Sequence, residues 1–134
     1  MKQERDKNET VSYWTEIANY DFETALAMQQ TGRYLYVGFM CHQSVEKMLK
    51  AYYYGVKQET PPYIHSLLRL AESSNILMAL SEAQLALLDK LEPLNIEARY
   101  PSYKNLLMQS LNKFRCEELL NETQELIRWI EKQL

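Results

Sequence analysis

The chain has 134 residues, the size of one ordinary domain, with 46% apolar and 25% charged residues. Its formal net charge is −3, so no molecule-wide positive field draws it to nucleic acid, and an RNA contact would need a local basic patch. With only 3 glycines and 4 prolines, a strand-and-turn protein is disfavoured and long helices are expected.

The opening residues, Met1 to Glu9, are polar and of mixed charge, unlike a signal or transit peptide. Residues 1–10 are therefore read as a polar tail, and residues 11–134 as a single helical domain. The first helix is expected from about Ser12 to Gln30, where Trp14, Ala18, Ala25 and Met28 recur at helical spacing with Asp21 in the same stripe. Gly32 suits the left-handed residue that ends it. A second helix follows at once, from about Tyr34 to Tyr54, with Gly38, Cys41, His42, Val45, Met48, Leu49 and Tyr52 inward and Gly55 as its stop. So short a connection makes the two helices antiparallel neighbours.

Thr60-Pro61-Pro62 announces a third helix, striped by Ile64, Leu67, Leu68 and Ala71 and ended by Ser73-Ser74-Asn75. Ser81 and Gln84 form a capping box for a fourth, with Leu85, Leu88, Leu91 and Leu94 facing inward. Residues 98–103 break the pattern, because Pro101 biases Tyr100 to an extended conformation. The last helix runs from about Phe114 to Gln133 and carries Leu119, Leu120, Thr123, Leu126, Ile127 and Ile130 on one face. Five striped helices with short loops can bury those stripes only against one another, which gives an all-α, antiparallel, up-and-down bundle. No apolar run approaches the ~18 residues of a membrane span. Cys41 and Cys116 lack CxxC spacing, so reduced thiols and a cytoplasmic location are expected.

Four segments resemble the HEPN domain family. They are Trp14…Asp21…Ala25; Gly32-Arg33-Tyr34; residues 39–51, with the Glu46-Lys47-x-Leu49-Lys50-Ala51 core; and residues 62–67 with the later Ala98-Arg99-Tyr100-Pro101. The resemblance covers nearly the whole chain after the first ten residues. It implies a bundle of four to five helices, often dimeric, and in many cases paired with a small nucleotidyltransferase in a toxin–antitoxin-like module. Some branches cleave RNA without a metal, using an Arg and a later His with four to six residues between them. Arg99 is the counterpart of that Arg, but the window after it holds Lys104, Asn105 and Leu106, and both histidines, His42 and His65, lie upstream.

Helices joined near Gly32 pair so that Asp21 sits level with Gln43 and within a turn of Phe39, His42 and Lys47. A carboxylate on an apolar stripe needs a partner, which either His42 or Lys47 supplies. This is either a register-fixing bridge inside the bundle or the lining of a pocket. Gln43, Lys47 and Lys50 share a strip of helix two, which reads as a solvated face with a Glu46–Lys50 pair or as a phosphate-binding strip. His65, expected in the first turn of helix three, reads as a packed or capping residue rather than a catalyst. Two histidines on different helices leave too few ligands for a metal, and no cofactor is implied. Three consecutive tyrosines, Tyr52, Tyr53 and Tyr54, cannot all face inward, and with Tyr34 and Tyr36 they form a candidate interface for a homodimer or higher homo-oligomer.

The reading that follows is a HEPN-type interaction and binding module with a site for a nucleotide or phosphate. Its candidate ligand-binding residues are His42, Lys47, Lys50, Arg99 and Tyr103, oriented by Asp21, and no catalytic residue is assigned. The alternatives are an atypical ribonuclease, using Arg99 with His42 or His65, and a purely structural dimeric bundle.

Overall fold

The computed structural model describes residues 2–96 and 100–134, the first five of them (2–6) in backbone only. Six α-helices are found among the described residues: α1 (Lys2–Gln30), α2 (Tyr34–Lys57), α3 (Leu67–Ser73), α4 (Glu82–Leu91), α5 (Pro101–Ser110) and α6 (Lys113–Lys132). Single 3-10 turns occupy Leu77–Ala79 and Glu92–Leu94. α1 and α2 form the expected antiparallel hairpin, turned at Gly32, whose φ of 74° is the left-handed conformation a helix end requires. The Arg33 amide donates to the Met28 carbonyl across this turn at 2.8 Å. α1 starts at Lys2, ten residues ahead of the expected start.

α2 is the central helix. α1 packs along it, α6 lies against another side, and α3, α4, α5 and the second 3-10 turn complete the cover. Its interior face is accordingly much wider than a stripe: Val37, Gly38, Cys41, Val45, Met48, Leu49 and Ala51 are buried, and so are His42, Ser44, Glu46 and Lys50. Ser44 Oγ donates to the Ala18 carbonyl at 2.8 Å and ties the hairpin together. The helix passes through Gly55 and ends at Lys57, with Gln58 (φ 56°) taking the left-handed position instead. Gly55 therefore lies inside the helix, where an added methyl would make only ordinary contacts with Leu134 and Val11.

The Thr60-Pro61-Pro62 segment does not open a helix. Pro62 holds Pro61 away from helical geometry, and residues 58–66 run as a loop. α3 begins at Leu67, where Ser66 Oγ accepts from the Arg69 amide and the Glu92 carboxylate accepts from the Leu67 and Leu68 amides. The Ser81/Gln84 capping box of α4 is formed on both sides, at 2.8 and 3.1 Å. Tyr100 is extended as Pro101 demands, but Pro101 then sits at the first position of α5, a helix absent from the sequence reading. α5 escapes detection because its stripe is poor: Leu107 is buried while Leu106 and Met108 are exposed. α6 buries the expected face, with Cys116 added, and is capped by Asn112 Oδ1 on the Arg115 amide at 2.8 Å.

Candidate functional site

The spacing His42–Glu46–Lys50 places three polar side chains on successive turns of α2, one above the other. On an outer helix this strip would be solvated. On the central helix it is buried, and the reading of Lys50 as part of a solvated face is corrected: Lys50 is 5% exposed. Its Nζ donates to Glu46 Oε2 at 3.1 Å and lies 5.7 Å from the centre of the Trp14 ring, a cation–π distance. Glu46 is the hub. Its other oxygen, Oε1, lies 3.1 Å from His65 Nδ1 and 3.9 Å from His42 Nδ1.

Beside this strip, Asp21 of α1 meets Lys47 at 3.6 Å, and Lys47 also donates to Gln43 Oε1 at 2.8 Å. The expected juxtaposition of Asp21 and Gln43 therefore exists, with the Lys47 ammonium between them. Gln43 Nε2 in turn approaches His42 Nδ1 at 3.4 Å. The network thus runs Asp21–Lys47–Gln43–His42–Glu46, with Lys50 and His65 both on Glu46. Two carboxylates face two ammonium groups, so with neutral imidazoles the cluster carries no net charge.

Burial pushes the His42 imidazole down to about 4, against a smaller opposing attraction from Glu46, so the ring is neutral at pH 7. Burial likewise raises the Asp21 carboxyl above its usual value, outweighing the attraction of Lys47. His65 differs from the rest of the network in being open, its side chain 43% exposed. It lies in the loop ahead of α3 and not in that helix's first turn, because the two prolines delay the helix. A carboxylate only accepts, so the neutral ring carries its hydrogen on Nδ1 toward Glu46 and keeps the Nε2 lone pair. Tyr63, 90% exposed, meets the His65 ring edge-on at 5.3 Å between centroids.

Of the candidate ligand-binding residues, Asp21, His42, Lys47 and Lys50 are brought together. Arg99 lies outside the described residues. Tyr103 is on the first turn of α5, half-buried against the core. Among the candidate interface tyrosines Tyr36 is exposed (47%), while Tyr34, Tyr52, Tyr53 and Tyr54 are all half-buried. Neighbours on both sides of α2 give three successive positions partial cover, so none of the Tyr52–Tyr54 rings stands fully outward. Sequence reasoning assigned Glu46 only a pair with Lys50 and set His65 aside. The four-residue spacing from His42 to Glu46 was the available signal for the hub. Among the described residues no group of three or more His, Cys, Asp or Glu side chains is arranged to hold a metal ion. Among the described residues no helix is long and apolar enough to cross a membrane.

The model of the HEPN domain matches residues 11–133. The chain belongs to the HEPN domain family. TT1696 from Thermus thermophilus, known from its crystal structure, is similar in fold. The two align with a TM-score of 0.79 and 21% identity, over 93% of this HEPN chain and 98% of TT1696. At that identity the likeness shows the fold alone. No curated protein matches the chain in sequence.

Proposed function

We propose that this HEPN chain is an interaction and binding module that self-associates, partners a nucleotidyltransferase, and holds a nucleotide at the outer end of the Glu46 network. The observation that supports it is His65: an exposed imidazole fastened to a buried carboxylate, with exposed Tyr63 against it. The aromatic pair offers a face for a base to stack on. Lys47, partly exposed, and Arg99 are the cations that would meet phosphate. Lys50 serves beneath them as the counter-charge of Glu46 and does not reach the ligand. ATP or GTP should raise the melting temperature by mass action, and His65→Ala, Lys47→Ala or Arg99→Ala should abolish the shift without unfolding the protein. No shift with millimolar nucleotide would overturn the binding reading. Sedimentation at micromolar concentration and co-purification with a nucleotidyltransferase encoded nearby test the two associations.

A second reading is favoured by the same His65–Glu46 hydrogen bond. An imidazole with Nδ1 committed to a carboxylate and Nε2 free is the arrangement of a general base, so His65 with Arg99 would make an unorthodox ribonuclease. Incubation with a structured RNA separates the readings. Under the binding reading the isolated chain leaves it intact. Cleavage lost in both His65→Ala and Arg99→Ala would favour the enzyme.

A further inference from the structure

A cavity of 420 Å³ opens between the end of α4, the 3-10 turn after it, the end of α5 and the start of α6. It shares no residue with the Glu46 network, and its volume lies in the range of small-molecule sites, about 300–1,000 Å³. Its apolar floor is Leu94, Leu107, Leu111 and Leu119, each keeping 6–9% exposure. Along α6 its rim carries Arg115, Glu118 and Glu122, spread over two helical turns, about 10 Å. At one end Lys90 and Glu122 neutralise each other at 3.3 Å. Arg115 and Glu118 are different. They sit one turn apart, and among the described residues neither has an opposite charge within ion-pair distance. The Arg115 guanidinium makes only a long 3.4 Å contact with the Ser110 carbonyl.

We infer that this cavity binds a small zwitterion with an apolar body, of the class of a free aromatic or large aliphatic amino acid. Its carboxylate would take the two-pronged guanidinium of Arg115, its ammonium the carboxylate of Glu118, and its side chain the leucine floor. A plain fatty acid paired with Arg115 would also feel the repulsion of Glu118 and leave it unpaired, and an amine paired with Glu118 would meet Arg115 in the same way. Opposite charges one turn apart over a leucine floor select a molecule that carries both.

The test uses the whole chain and three probes: L-phenylalanine, 3-phenylpropanoate, which lacks the ammonium, and phenethylamine, which lacks the carboxylate. Titrations followed by leucine methyl NMR should move the Leu94, Leu107, Leu111 and Leu119 signals with phenylalanine. Each one-charge analogue should bind at least tenfold more weakly, about 1.4 kcal/mol. Arg115→Gln should erase the preference over phenethylamine, and Glu118→Gln the preference over 3-phenylpropanoate. Both side chains are exposed, so the fold should survive, with an unchanged melting temperature as the check. Ser110→Trp, at the cavity edge, should block all three probes. Equal affinity for the three, no methyl shift at about 10 mM phenylalanine, or shifts confined to other leucines would overturn the inference.

Discussion

Replacing Glu46 by Met should cost far more than replacing Glu46 and Lys50 together. The two charges are 3.1 Å apart, with side-chain exposures of 2% and 7%. At an effective dielectric near 20, that separation corresponds to an attraction of about 5 kcal/mol. Glu46→Met removes it and leaves the Lys50 ammonium under α1 with no counter-charge and little water. The loss should be about 3–5 kcal/mol, the range found when one member of a buried pair is removed. For a domain of this length that is a fall in melting temperature of roughly 10–20 °C. In Glu46→Met/Lys50→Met both charges are gone and the volumes are nearly kept, so stability should return to within about 1 kcal/mol of the parent. His65 loses its partner in both variants, but its open ring is rehydrated. Urea unfolding at pH 7, with the denaturant slope checked for constancy, measures the cycle. A single-variant loss below about 1 kcal/mol, or a double variant as unstable as the summed singles, would refute the description of Glu46 and Lys50 as a mutually dependent buried pair.

Three further outcomes are expected. Because the His42 imidazole titrates near 4 when folded against a usual 6.5, the unfolded chain binds its proton first, and stability should fall by roughly 3 kcal/mol from pH 6.5 to pH 4. His42→Gln should flatten that window in pH-dependent unfolding, whereas Asp21→Asn should steepen the acid limb, since the raised Asp21 carboxyl stabilises the fold as pH falls. Ser81→Ala breaks the capping box of α4 and should cost about 1 kcal/mol by chemical denaturation, a neutral result counting against the cap. Gly38→Ala would set a methyl 3.1 Å from Leu94 Cδ1 and 3.2 Å from Leu111 Cδ1. Both leucines border the open cavity and can give way, so the helix-propensity gain of about 1 kcal/mol should prevail, and a comparable loss would show that they cannot.

The helices whose stripes are strong were legible in the sequence. The α1/α2 hairpin, its turn at Gly32, the capping box of α4 and the inward face of α6 all follow from spacing and end signals. The weakly striped parts were not: α5 has one buried leucine, and α3 is short and capped from a distance by Glu92. The site divided the same way. The level of Asp21 against Gln43 follows from hairpin arithmetic. Burial of Lys50 does not, because it depends on how many neighbours surround α2, a property of the whole bundle and of no local window. His65 was hidden for a related reason. Its contact with Glu46 spans nineteen positions and exists only because Pro61 and Pro62 keep the approach to α3 extended.

The Glu46-Lys47-x-Leu49-Lys50-Ala51 core then gains a physical account. On a central helix, alternating turns must serve different neighbours. Lys47 reaches across to Asp21 of α1, Leu49 and Ala51 enter the core, and Glu46 turns to the loop that carries His65. Each cation is matched by a carboxylate from a different part of the chain or from the next turn, which makes the register of α1 on α2 and the path of the 58–66 loop interdependent. A one-residue slip of α1 on α2 would part Asp21 from Lys47, two half-buried charges, while the Glu46–Lys50 pair within α2 persists, so the network penalises that alternative even if its net contribution to stability is small. The same balance bears on function. Under the proposed binding reading, Lys50 is neutralised by Glu46 and has little pull on a phosphate, so Lys47 and Arg99 would meet the phosphate, His65 and Tyr63 the base, and the buried Glu46–Lys50 pair would act by fixing where His65 stands.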